Sequence, residues 1–220
     1  MAAEMAAQPE VLARLAGRAA ADAAAVRAVA PRPLAGVVFV ARGSSDNAAV
    51  FGRYLTELAA GRPAGMAAPS LYTRYQAAAD WHGYLVIALS QSGATPEILT
   101  TAESLRSRGA SVIGITNEPG SPLAGVTDLV LATDAGPERA VPATKTVTAQ
   151  LAVLVSVAAA LAPGGPGGAA AAEVLPRLPD AVRAVLADPG PVTSLAAGWA
   201  ALDRLVVTGR GLGYAAALET

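Results

Sequence analysis

Apolar and polar positions along this chain follow two alternating periods. "GVVFVA" (36–41), "YLVIAL" (84–89), "SVIGIT" (111–116) and "DLVLAT" (128–133) are short, largely unbroken apolar runs with many β-branched residues. Between the first two, apolar residues recur at helical spacing: in "NAAVFGRYLTELAAG", Val50, Tyr54, Leu55 and Leu58 fall on one face. A further helix is predicted from Pro96 to Arg108, opened by proline in its first turn and stopped by Gly109. With a short strand near Pro63 to Ala67, five strands alternate with helices. Continuously apolar strands in such an alternation mean a parallel sheet covered on both faces, an open doubly wound α/β fold.

The flanks read differently. Residues 4–29, rich in Ala, Leu, Arg and Glu, predict one or two helices ending before Pro31. Residues 144–162 predict a long helix that "PGGPGG" at 163–168 breaks. Helices near 173–187 and 193–202 are expected next, then a sixth strand, "RLVVTG" (204–209), and the glycine turn of "RGLGYAAALET". A strand, a glycine turn and the start of a helix form the opening of another α/β unit, so the chain is expected to be a fragment of something longer.

Composition narrows the partners. With 220 residues, 53% of them hydrophobic, the chain can bury a real core. A net charge of −1 with 15% charged residues gives no basic field, so neither nucleic acid nor an anionic membrane is expected to bind. The absence of cysteine removes disulfides and thiolate chemistry and suits a cytoplasmic setting. The opening "MAAEMAAQPEVLARLAGRAA" mixes acids and bases where a signal peptide needs an apolar stretch, and "LAVLVSVAAALA" (151–162) is too short to cross a bilayer. No cluster of His, Cys or carboxylates has ligand spacing, so neither metal nor cofactor is expected. What remains is a small molecule and a second copy of the chain; a homodimer is expected from the leading helical arm and the apolar helix at 144–162.

Chemistry gathers after two strands. "RGSSDN" follows the first, and "SQSGATPE" follows "YLVIAL". In an open parallel sheet, ligands sit beyond the carboxyl ends of strands, and each of these loops leads into a helix N-terminus that favours an anion. Ser90, Ser92 and Thr95 can donate hydroxyls, Gly93 permits close backbone approach, and Pro96 preorganises the first helical turn. For either loop alone, helix capping and an anion site are equally good readings. Two hydroxyl-rich loops at neighbouring strand ends favour a phosphate site.

These stretches, with "GITNEPGSPLA", "AGPERAVPATKTVTAQLAVL" and "VTGRGLGYAAALET", resemble successive signatures of the sugar isomerase (SIS) family, in the same order, over roughly 37–162 and 203–220. The resemblance is nearest to the isomerase half of glucosamine-6-phosphate synthase and to the SIS-type glucosamine-6-phosphate deaminases. No glutaminase domain precedes Met1 and "EMAAQPEVLARL" resembles the deaminase-like branch, which puts the deaminase reading ahead. The resemblance implies a three-layer αβα sandwich with a five-stranded parallel, flavodoxin-like sheet. The expected organisation is a helical arm (1–32), an SIS domain (33–165), a linker with helices (166–202) and the start of a second, truncated SIS domain (203–220). Ser90, Gln91, Ser92 and Thr95 would bind the phosphate of a phosphosugar, Ser45 would lie beside phosphate and sugar, and Ser44 would assist. Residues 136–145 would cover the site, with the Val141 backbone near the sugar. Pro142 and Ala143 depart from the family pattern: Pro142 lacks a backbone donor, and Ala143 stands where the synthases carry serine.

The resemblance implies an aldose–ketose isomerase or deaminase acting on glucosamine 6-phosphate or fructose 6-phosphate; the alternative is a regulatory SIS module that binds without catalysis. Proton transfer needs a general base near the reacting carbon. The family's acid/base groups lie beyond the "ALE" helix start, past Thr220, so no catalytic residue is assigned. His82 reads as a surface or structural histidine, Glu97 as a helix-dipole acid, and Glu138 and Lys145 as pocket liners or structural groups. A dinucleotide domain is disfavoured because glycines 209, 211 and 213 lack the G-x-G-x-x-G spacing.

Overall fold

The structure, a computed structural model, describes residues 1–162, 169 and 173–219. Five parallel strands, β1 (Gly36–Val40), β2 (Ala64–Met66), β3 (Tyr84–Leu89), β4 (Ser111–Thr116) and β5 (Leu129–Ala132), form one sheet in the order β2-β1-β3-β4-β5. This is the order of the flavodoxin-like sheet that the family resemblance implies. In register, Leu85 lies beside Val37 and Ser111, and Ile87 beside Phe39 and Ile113.

Side chains alternate across the sheet with period two, and each face has its own core. Leu85, Ile87 and Leu89 join Phe39 and Ile113 beneath α2 (Gln8–Val29), α3 (Ser44–Ala60) and α7 (Lys145–Leu161). Val86, Ala88 and Val112 join Ile98, Ala102 and Leu105 of α5 (Pro96–Arg106) and Leu123 of α6 (Pro122–Gly125). Tyr72 of α4 (Ser70–Thr73) belongs to that second core. Gly52 lets α3 lie close on β1, since a Cβ there would stand 2.8 Å from the Phe39 ring.

The leading arm is α1 (Ala2–Ala6) and α2. Its Val11, Leu12, Leu15 and Val26 share the core of Val153, Leu154 and Val157 of α7. The two apolar surfaces read as a meeting place for a second copy therefore cover each other within one chain. Arg14 holds the arm to the end of β5, donating to the Asp134 carbonyl at 2.9 Å, and Arg18 pairs with Asp134 and Asp22.

The later part departs from expectation. The loop at 163–168 lies outside the described residues. The helix expected at 173–187 is a 3-10 turn (Leu175–Arg177) running into α8 (Leu178–Ala187), and the next, α9, spans Gly190–Trp199. The sixth strand is not formed: residues 204–210 carry no regular structure, and Val206 is 83% exposed. An apolar run becomes a strand only by pairing with a neighbour, and no strand of the sheet lies beside this one. The chain then returns to the domain as α10 (Gly213–Glu219), packed on α3, where the Asn47 side chain donates to the Leu218 carbonyl (3.2 Å) and the Glu219 carboxylate (2.7 Å).

Candidate functional site

β1 lies between β2 and β3, so the strand order turns there; α3, following β1, and α5, following β3, go to opposite faces of the sheet. Their diverging N-termini leave a crevice at the carboxyl ends of β1 and β3, where an open sheet binds its ligand. A cavity of about 240 Å³ occupies it. Ser44 and Ser45 line it from the first loop, Ser90, Gln91, Ser92 and Thr95 from the second, and Val141 from the covering stretch. All the residues expected to contact a phosphosugar thus face one space.

The second loop is held by its own hydrogen bonds. The buried Ser90 Oγ accepts from the Gly93 N–H at 3.1 Å and lies 3.1 Å from the Thr95 hydroxyl; Ser92 Oγ accepts from the Ala94 N–H at 3.3 Å. The Gln91 carbonyl accepts from the Asn117 N–H (3.0 Å) and the Thr116 hydroxyl (3.2 Å), which ties the loop to the end of β4. Thr95 is the N-cap of α5 and makes no side-chain cap bond, so these hydroxyls shape the loop rather than cap the helix. The backbone N–H groups of Gln91, Ser92 and Thr95 are left without a protein acceptor among the described residues. Gly93 has φ +60°, and a Cβ on it would stand 1.9 Å from Ser121 Oγ, so a larger residue does not fit. At the first loop Gly43 is the N-cap of α3; its carbonyl accepts from the Asp46 N–H at 2.8 Å, while the N–H groups of Ser44 and Ser45 have no protein acceptor among the described residues.

The covering stretch is anchored from inside. The Glu138 carboxylate accepts from the Thr144 N–H (3.0 Å), the Thr144 hydroxyl (2.8 Å), the Lys145 N–H (2.8 Å) and the Thr146 hydroxyl. Burial pushes its pKa up, but the hydrogen bonds from Thr146 and Thr144 outweigh this and hold the carboxyl below its ordinary value. Glu138 lines the cavity as an engaged anion, not as a free base. Asn117 steadies the same stretch, accepting from the Thr133 hydroxyl (2.9 Å) and the Ala135 N–H (2.8 Å) and donating to the Gly136 carbonyl (3.0 Å). Val141 stands 98% exposed at the rim. Lys145 is buried at the start of α7 but does not line the cavity.

Among the lining residues not anticipated as site residues are Arg42 and Gln150. Arg42, at the mouth, pairs with Glu97 at 2.8 Å and joins the first loop to the first turn of α5. Gln150 reaches the cavity from α7, and its side-chain amide donates to Ser45 Oγ at 2.9 Å. The signal for Gln150 was an amide inside an apolar helix; a single arginine before a glycine offered none. His82 is a surface residue hydrogen-bonded to Asp80 and lies outside the cavity. Among the described residues no cluster of His, Cys, Asp or Glu could hold a metal ion, and no helix is long and apolar enough to cross a membrane.

Residues 36–160 match the SIS domain. The chain belongs to the SIS domain family. This SIS chain is 38% identical over 193 residues to a glutamine–fructose-6-phosphate aminotransferase (isomerizing) of Symbiobacterium thermophilum, covering 86% of the chain and 32% of that protein. It is 36% identical to the enzyme of the same name from Aeropyrum pernix, covering 96% of the chain and 35% of the relative. The SIS chain thus spans about a third of the length of these relatives. A solved structure from Silicibacter pomeroyi, carrying a provisional phosphosugar isomerase assignment, superposes with a TM-score of 0.88 at 33% identity, over 100% of this chain and 67% of that one. The tagatose-6-phosphate ketose/aldose isomerase of Escherichia coli, at 19% identity and a TM-score of 0.79 over 98% of this chain and 60% of its own, shares the fold.

Proposed function

We propose that this SIS domain binds a sugar phosphate at the N-termini of α3 and α5, as the substrate-holding part of an aldose–ketose isomerase acting on glucosamine 6-phosphate or fructose 6-phosphate. One observation carries the reading: a loop pinned by Gly93 presents unengaged N–H groups, flanked by serine and threonine hydroxyls, to a single cavity. A phosphate dianion satisfies such donors through charge-assisted bonds, and two helix dipoles add to them. Relatives named for fructose 6-phosphate support the substrate class. The interconversion proceeds by proton transfer and calls for no cofactor.

Replacing Ser90 and Ser92 together by alanine should weaken glucosamine 6-phosphate and fructose 6-phosphate by about 2–3 kcal/mol, roughly 30- to 150-fold in calorimetry. A thermal melt close to the parent's would show that the fold survives. Unchanged affinity in the double variant, beside clear binding by the parent, would reduce the loop to a structural turn.

The engaged state of Glu138 favours a second reading, a module that binds phosphosugar and regulates without catalysing. Ketose formation above background by the purified chain would exclude it.

A further inference from the structure

Gln150 sits in the second turn of α7 between Ala149 and Leu151, in a helix otherwise built mainly of apolar residues. Its side chain is 1% exposed and lines the cavity. Its Nε2 donates to Ser45 Oγ at 2.9 Å, whereas its Oε1, equally buried, receives no hydrogen bond. Buried amide oxygens almost always have a donor, because water has been removed from them. As placed, the amide leaves its oxygen and one N–H unpaired; turned over, it would accept from the Ser45 hydroxyl and leave both N–H groups unpaired.

The orientation has two consequences. Nε2 can only donate, so Ser45 Oγ accepts there and keeps its own proton for a ligand. Oε1 can only accept, so an ionised phosphate oxygen against it would be repelled and its partner must be a donor, which on a sugar is chiefly a hydroxyl. We propose that Gln150 is a specificity residue whose buried carbonyl accepts a hydroxyl of the bound sugar, beyond the phosphate held by the serine loop. The inference rests on the phosphosugar reading and adds to it the recognition of the sugar itself.

Calorimetry on the full chain tests it with three probes: glucosamine 6-phosphate, its monodeoxy analogues and inorganic phosphate. Gln150→Met should bind glucosamine 6-phosphate about tenfold more weakly than the parent. Inorganic phosphate should change by less than about threefold, since it does not reach the carbonyl. One monodeoxy analogue should bind the parent about tenfold more weakly than glucosamine 6-phosphate, and Gln150→Met should no longer distinguish the two, closing a coupling cycle. Unchanged sugar-phosphate affinity in the variant would overturn the proposal, as would an equal loss of inorganic phosphate. Should Gln150→Met fail to fold, the analogue series on the parent decides alone, and a flat series overturns the assignment. Binding of sugar phosphate with a flat series removes this inference only; a parent that binds neither sugar phosphate nor phosphate removes the phosphosugar reading with it.

Discussion

The N-termini of α5 and α7 both border the cavity, and the chain treats them in opposite ways. At α7 the donors are already taken: Glu138 folds back from the preceding stretch and accepts from the Thr144 and Lys145 amides. At α5 no side chain caps the helix, and the serine loop before it bonds mainly to itself and to the end of β4. The same dipole serves stability at one helix and is left open for an anion at the other. The preceding sequence makes the difference: "GPE" brings an internal carboxylate to α7, whereas "SQSGAT" brings hydroxyls and free N–H groups to α5.

The largest effect should come from closing the open end. Gly93→Ala places a Cβ against Ser121 Oγ and forces alanine to φ +60°. Left-handed strain and overpacking together predict a loss of about 3 kcal/mol in urea unfolding, with phosphosugar affinity falling alongside. Adding Ser121→Gly should relieve the contact with Ser121 but neither the 2.9 Å approach to Thr116 Oγ1 nor the backbone strain. Full stability in the single variant would show the loop to be more pliable than its hydrogen bonds imply.

Opening the closed end should cost less. Glu138→Gln keeps the shape but loses the charge, with an expected loss of about 1–2 kcal/mol at neutral pH, in the range of a charged cap. Because the folded carboxyl lies below its ordinary value, the stability it contributes is full above the unfolded value of about 4.3 and is lost as pH falls through the folded one. Unfolding midpoints of parent and variant should therefore converge in acid. A gap that persists in acid would mean that the amide and hydroxyl bonds, not the charge, hold the stretch.

The smallest effect belongs to Pro96, the first residue of α5. Pro96→Ala should cost about 0.5 kcal/mol, because proline mainly restrains the unfolded chain. Phosphosugar affinity should stay within about twofold, since no donor is lost. A larger change in binding would mean that the ring itself shapes the cavity.

The central strands β1, β3 and β4 could be read directly because they are buried on both faces and continuously apolar, a local property of the chain, whereas the edge strands β2 and β5 are only partly buried. "RLVVTG" has the same local property, yet Leu205, Val206 and Val207 lie exposed and unpaired. Strand formation depends on a neighbour, and a neighbour is not a local property. The serine loops were legible for a related reason: hydroxyls and glycine directly after an apolar strand have no use in a core. Arg42 was not, because its meaning comes from Glu97, which is distant in the chain and 2.8 Å away in space.

By itself, then, the sequence determined the five strands between 36 and 133, their parallel alternation, the strand ends where ligand-binding chemistry could gather, and the exclusion of thiol chemistry. Tertiary structure alone decided which helix N-terminus stays open, that Glu138 closes α7, that the arm and α7 cover each other, and that Gln150 meets Ser45 across 105 positions. The physical reason is separation along the chain. Period and punctuation are written within a few residues, while hydrogen bonds between distant side chains exist only once the sheet brings its loops to one edge.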